Sequence, residues 1–138
     1  MKWLINNKYR NHSDNKYRIK WDRKAPSKGA QIVKDFLFQN CKNHVLFEEY
    51  RLPSSRLYCD WIDATLKLCL EYDDKEETGH HNHFNKFFHK TRLGYLNSIK
   101  RDIKKDQILE LNGYKVVRIF EEDLHLTIQW FEKQGIYL

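Results

Sequence analysis

Residues 57–73, Leu-Tyr-Cys-Asp-Trp-Ile-Asp-Ala-Thr-Leu-Lys-Leu-Cys-Leu-Glu-Tyr-Asp, restrict the possible folds more than any other stretch of the chain. They read as two short strands joined by a tight turn at Asp63-Ala64-Thr65. Leu66, Leu68 and Leu70 alternate with Lys67, Cys69 and Glu71, the period of a strand with one buried face. Asp60 falls inside the first strand, and Glu71 and Asp73 close the second. Acidic residues are poor strand formers and costly beside an apolar core. Three of them on one hairpin need a physical cause, and a divalent cation held between them is the simplest.

The flanking sequence supplies the partners for that hairpin. Ser27, just after Pro26, predicts the N-cap of a helix whose apolar face is Ile32, Val33, Phe36 and Leu37, running to about Asn40. Residues 44–51 predict a strand, and Pro53-Ser54-Ser55 a break. A long helix is expected over 91–111, with Leu93, Leu96, Ile99 and Ile103 as its face and Asn112-Gly113 as its stop. Residues 114–119 predict a strand. Glu121, Glu122 and Asp123 then open a last helix, with Leu124, Ile128 and Phe131 inward and Gly135 at its end. The predicted order is α-β-β-β-α-β-α, an α/β or α+β fold with helices on the faces of a mixed sheet. The 138 residues suit one core.

Charge divides the chain in two. Residues 1–28 hold nine Lys/Arg against Asp14 and Asp22, a net +7, so the remaining 110 residues sum to −1 of the total +6. Residues 1–25 therefore read as a basic, aromatic N-terminal arm, and 26–138 as the folded domain. Asn7-Lys8-Tyr9-Arg10 recurs as Asn15-Lys16-Tyr17-Arg18, with Trp3 and Trp21 outside the pair. Basic residues interleaved with aromatics suit phosphate contact and base stacking. The same pattern equally suits a small β-ribbon whose aromatics pack on the core. Lys8, Arg10, Lys16, Arg18, Arg23 and Lys24 are the candidate phosphate contacts here, and Arg101 and Lys105 those on the long helix.

Other classes are disfavoured. Nothing approaches the ~18 apolar residues of a membrane span. The three cysteines, Cys41, Cys59 and Cys69, form no Cys-x-x-Cys pair, which predicts a reducing, cytoplasmic setting without a disulfide framework or a cysteine-based zinc site. Only five glycines occur and no glycine-rich phosphate loop, so no nucleotide cofactor is expected. Residues 74–91 hold His80, His81, His83 and His89, whose irregular spacing makes a structural zinc site the lesser reading.

Carboxylates beside histidines suit phosphodiester hydrolysis. That reaction needs a hard cation on the phosphoryl oxygen, a base for water and help for the leaving oxygen. Mg²⁺, for which Mn²⁺ can substitute, takes one or two protein carboxylates and keeps several waters. Asp60, Glu71 and Asp73 are the candidate ligands, and a nearby histidine the candidate base or acid.

At this point the pattern resembles a known family. Asp60 followed after ten residues by Glu71 resembles the Asp…Glu-x-Lys core of PD-(D/E)xK nucleases, with Asp73 in the lysine position. Glu71-Tyr72-Asp73, then His80, Arg101-Asp102-Ile103-Lys104-Lys105, Asn112-Gly113 and the strand 114–119 are similar to the very-short-patch-repair (Vsr)-like branch, which includes EDxHD homing endonucleases. The closing Glu122-Asp123-Leu124 also matches that branch, and the likeness covers about 27–124. The resemblance implies a restriction-endonuclease-like sheet and a Mg²⁺-dependent DNA endonuclease. It implies Asp60 and Glu71 as metal ligands, Asp73 completing the site, His80 as base or acid ahead of His81 and His83, and Asp102 assisting. A helix-surface pair with Lys105 is an alternative role for Asp102. The branch often begins its first helix with Ser-x-Gly-Glu, whereas this chain has Ser27-Lys28-Gly29-Ala30-Gln31, so Ala30 stands where the first acidic ligand is expected and Gln31 could replace it only with a register shift. Glu48 or Glu49 could compensate. A homodimer suits cutting of both strands. The alternatives are a catalytically weakened nucleic-acid-binding module on the same fold, or a protein-interaction accessory factor of the phage type.

Overall fold

The computed structural model describes residues 1–11, 14–73 and 92–138. A hairpin of β1 (Lys2–Ile5) and β2 (Lys8–Asn11) opens the chain, followed by α1 (Lys28–Cys41), β3 (Leu46–Arg51), β4 (Tyr58–Asp63) and β5 (Leu68–Asp73). Helix α2 (Arg92–Leu111), β6 (Lys115–Phe120) and the short α3 (Ile128–Lys133) complete it. The main sheet runs β3-β4-β5-β6, antiparallel except for the parallel β5–β6 pair joined through α2. The fold is mixed α+β, and from α1 onward the elements follow the predicted order.

Two apolar clusters sandwich the sheet. Val33 and Leu37 of α1 and Phe131 of α3 meet Leu46, Trp61, Leu68, Leu70, Val117 and Ile119 on one face. Trp3 and Ile5 of the first hairpin, with Ile108 and Leu109 of α2, meet Phe47, Tyr50, Cys59, Ile62 and Cys69 on the other. The first half of β5, Leu68 to Leu70, is thus buried on both faces, and Cys59 and Cys69 are small core residues, as their place inside strands suggests. Leu66 falls in the turn rather than in the strand.

Of the two readings of the first residues, the ribbon packed on the core describes the hairpin. Asn6 and Asn7 turn it with φ of 53° and 63°, left-handed values that asparagine tolerates. The Trp3 indole donates to Tyr50 Oη at 2.9 Å and stacks on Tyr114. Tyr50 Oη donates in turn to Asp14 at 2.6 Å. Asn112 binds Leu4 through both its carbonyl and its amide.

Local signals hold at most helix ends. Ser27 Oγ accepts from Ala30 N at 3.2 Å, and Gly113 and Gly135 have φ of 82° and 80°. Two expectations are corrected. Glu121–Asp123 form a short 3₁₀ turn closed by Asp123 on Phe120 N, and the last helix starts later, with Thr127 as N-cap. Ile128 is consequently exposed while Phe131 is buried. On α2, Leu93, Leu96, Ile99 and Ile103 are exposed with respect to the described residues. The helix meets the sheet through Ile108 and Leu109 instead. Periodicity defines a face but not which part of its length finds a partner.

Candidate functional site

Strands β4 and β5 separate at the acids. Their ladder runs from Asp63–Leu68 to Trp61–Leu70 and stops there, while β5 stays paired with β6 as far as Asp73–Phe120. The next β5 amide, Tyr72 N–H, is bonded not by a β4 carbonyl but by Asp60 Oδ2 at 2.8 Å. On the other side of β4, the β3 ladder skips from Glu48–Trp61 to Tyr50–Cys59, with Glu49 left-handed at φ 48°. Cys59 and Trp61 pack in opposite clusters, although residues two apart in a regular strand share a face. The interruption at Asp60 removes its side chain from the up–down alternation and turns its carboxylate toward β5.

Glu71 meets it there. The Glu71 carboxyl lies close enough to Asp60 for the two groups to act on each other, and 2.6 Å from Lys105 Nζ of α2. Burial, followed by the Asp60 charge, pushes Glu71 up to about 7, against the pull of Lys105. Lys105 is itself only 13% exposed. Burial alone would lower its pKa, but the Glu71 carboxylate overrides that and holds it above the ordinary lysine range. Lys105 Nζ also donates to the Tyr58 carbonyl at 3.2 Å. The result is a two-carboxylate, one-ammonium group at a strand fork, largely shielded from solvent.

A cleft of about 100 Å³ opens beside Asp60, lined also by Arg23, Lys24, Ala30, Glu48 and Tyr72. Ala30, where the resembled branch carries Glu, faces this cleft. Glu48 is committed elsewhere: it pairs with the buried Lys34 at 3.0 Å and with Arg23 at 2.9 Å. Gly29 fits because Tyr72 approaches α1 closely. A Cβ there would overlap the Tyr72 hydroxyl and Cζ and lie 2.8 Å from Cε2. Gly29→Ala is therefore expected to destabilise by about 1–3 kcal/mol through overpacking. With Tyr72→Leu in place the clash is gone, and the helix preference of alanine over glycine makes the same change stabilising. Urea unfolding of the double-mutant cycle checks this, and equal effects in both backgrounds would refute it.

The other candidates distribute unevenly. Among the described residues, Asp60, Glu71 and Asp73 are not one of the groups whose ligand atoms all lie within 4.8 Å of one another; those are Cys59–Cys69–Glu71 and Cys41–His44–Asp63. Asp102 is exposed on α2, and its charge is felt at Arg118, which binds Asp106 through two contacts of 3.0 Å. His80, His81, His83 and His89 lie outside the described residues. Lys8, Lys16, Arg18, Arg23, Lys24 and Arg101 are exposed, and Arg10 is half-buried. Lys16 stands over the Tyr17 ring and Arg18 over that of Phe47. Lys105, a candidate phosphate contact, points into the acid pair, an ion pair with Glu71 that nothing local in the sequence indicates. Among the described residues no helix is long and apolar enough to cross a membrane. Comparison with protein-family models, curated proteins and solved structures finds no match.

Proposed function

We propose that the chain is a divalent-metal-dependent phosphodiester hydrolase acting on DNA, with a PD-(D/E)xK, Vsr-like arrangement around Asp60 and Glu71. The observation that carries this reading is the meeting of these two carboxyls where β4 and β5 part. The two oxygen donors converge, and burial and then the Asp60 charge push Glu71 up to about 7. Such a donor set suits a hard cation, whose charge favours the ionised form of Glu71. Mg²⁺, or Mn²⁺ in its place, would supply Lewis-acid charge at a phosphoryl oxygen. Asp60 is oriented by the Tyr72 amide, and Glu71 by Lys105. The Lys105 ammonium stands next to Glu71 as a donor for a phosphate oxygen or the attacking water, a role that the position of Asp73 in the triplet would otherwise leave empty. Arg23 and Lys24, exposed at the rim of the neighbouring cleft, suit contact with the DNA backbone.

The second reading, a nucleic-acid-binding module without cleavage, is favoured by Ala30 in the cleft and by the ion pair that already neutralises Glu71. Supercoiled plasmid incubated with the chain and Mg²⁺ separates the two. The hydrolase is expected to nick or linearise it, to stop on chelation, and to lose the activity in Asp60→Asn. DNA retention that weakens with salt, with no cleavage under Mg²⁺ or Mn²⁺, would establish the module instead.

A further inference from the structure

At the other end of the β4–β5 hairpin lies a group that the hydrolase reading does not use. We propose that Cys41, His44 and Asp63, brought together where the end of α1 meets the β4–β5 turn, form a binding site for a thiophilic divalent cation, Zn²⁺ by its donor set. One ligand atom from each lies within 4.8 Å of the other two. Around a tetrahedral zinc, sulfur, nitrogen and oxygen donors stand about 3.3–3.6 Å apart, so the thiol need move by no more than about an ångström, while the His44–Asp63 pair, hydrogen-bonded at 2.7 Å, opens by about 0.6 Å.

The backbone already holds these residues in place. His44 N donates to the Cys41 carbonyl at 2.9 Å, so the two ligands share one turn in a Cys-x-x-His spacing. Ala64 N donates to the Val45 carbonyl and Val45 N to Thr65 Oγ1, both at 2.9 Å, which pins that turn to the hairpin. Asp63 Oδ1 is fixed by Leu66 N at 3.0 Å, leaving Oδ2, 2.7 Å from His44 Nδ1, as the coordinating atom.

Charge and access favour this group over the second cluster. A thiolate, a carboxylate and a neutral imidazole leave a divalent ion with no net charge, which suits a site whose carboxylate is 2% exposed. Binding releases the Cys41 thiol proton to solvent and breaks the His44 Nδ1–H···Asp63 hydrogen bond, the neutral imidazole keeping its proton on Nε2 so that Nδ1 can coordinate. His44 is 20% exposed, so an ion can enter and a water can complete the fourth position. Cys59, Cys69 and Glu71 are also close, but Glu71 belongs to the acid fork already described, and that group has no partly exposed imidazole, its two thiols being wholly buried. The site would tie α1 to the hairpin from outside the acid fork, and it stands whether or not the chain cleaves DNA.

The test is titration of the metal-stripped chain with Co²⁺, followed by displacement with Zn²⁺. One equivalent of Co²⁺ is expected to develop the visible bands of a tetrahedral ion and a thiolate-to-cobalt charge-transfer band in the near ultraviolet, signals that Co²⁺ on the oxygen donors of the acid fork does not give. His44→Gln, at a partly exposed position, should weaken binding at least about tenfold while the metal-free chain stays folded. Cys41→Ala should abolish the charge-transfer band. The Cys59→Ser/Cys69→Ser double variant and Glu71→Ala should keep it, so this result is independent of any cleavage assay. No thiolate band in the unaltered chain, or a band that disappears with Cys59 and Cys69 instead of Cys41, would overturn the proposal.

Discussion

Replacing Glu71 by glutamine is expected to lower Mg²⁺-dependent cleavage by about a thousandfold, the scale of losing one group that stabilises charge in the transition state. The change is nearly isosteric and keeps a group that can accept from Lys105, so the fold should survive. A second signature belongs to the metal-free protein. Glu71 rises from 4.5 to about 7 in the fold, because burial and then Asp60 disfavour its charge. A group raised in this way contributes most below its unfolded value and loses that contribution as pH rises through its folded value. Metal-free stability should therefore fall between about pH 5 and pH 8 by about 2–3 kcal/mol on account of this group, at 1.36 kcal/mol per unit. Glu71→Gln should remove that slope, and Mg²⁺ should flatten it in the parent chain. Urea unfolding across this range reads both. A slope unchanged by the substitution would mean that Glu71 is not the titrating group.

Lys105→Met should show the reverse side of the same pair. Removing one partner of a buried ion pair costs about 3–5 kcal/mol, because the other charge is left uncompensated. Here the cost depends on whether Glu71 is ionised. At pH 8 the variant should lose about 3 kcal/mol, and at pH 5, where Glu71 is protonated, less than about 1 kcal/mol beyond the lost bond to Tyr58. Methionine fills the volume of the lysine stem, so packing changes little. Cleavage should fall as well, since the ammonium beside Glu71 is gone. Equal destabilisation at both pH values would show that Lys105 acts through packing alone.

The acids of the hairpin were legible because aspartate and glutamate inside strand patterns contradict local preference. The Ser27 cap, the Asn112-Gly113 stop and the three strands 46–51, 58–63 and 68–73 were legible because caps, left-handed stops and short alternation are local. The last helix was misplaced because three acids at 121–123 mimic a helix start, while the capping Thr127 follows only after a 3₁₀ turn. The apolar residues of α2 were legible as one face, but apolar spacing carries no information about how far a helix overlaps the sheet. Cys41 and His44 were not legible as a pair, because cysteine spacing alone does not mark a Cys-x-x-His and their neighbour Asp63 joins them only in the fold.

What the sequence by itself determined is the order of elements from α1 onward and the presence of charged groups in a strand pair that does not favour them. Only the tertiary structure decided which of those groups meet. A break in two ladders turned Asp60 toward β5, and helix α2 carried Lys105 across 34 positions of sequence to Glu71. Neither event is periodic or local. The free energy that selects them comes from burying both sheet faces at once, and the ionisable side chains take whatever partners that packing brings within reach.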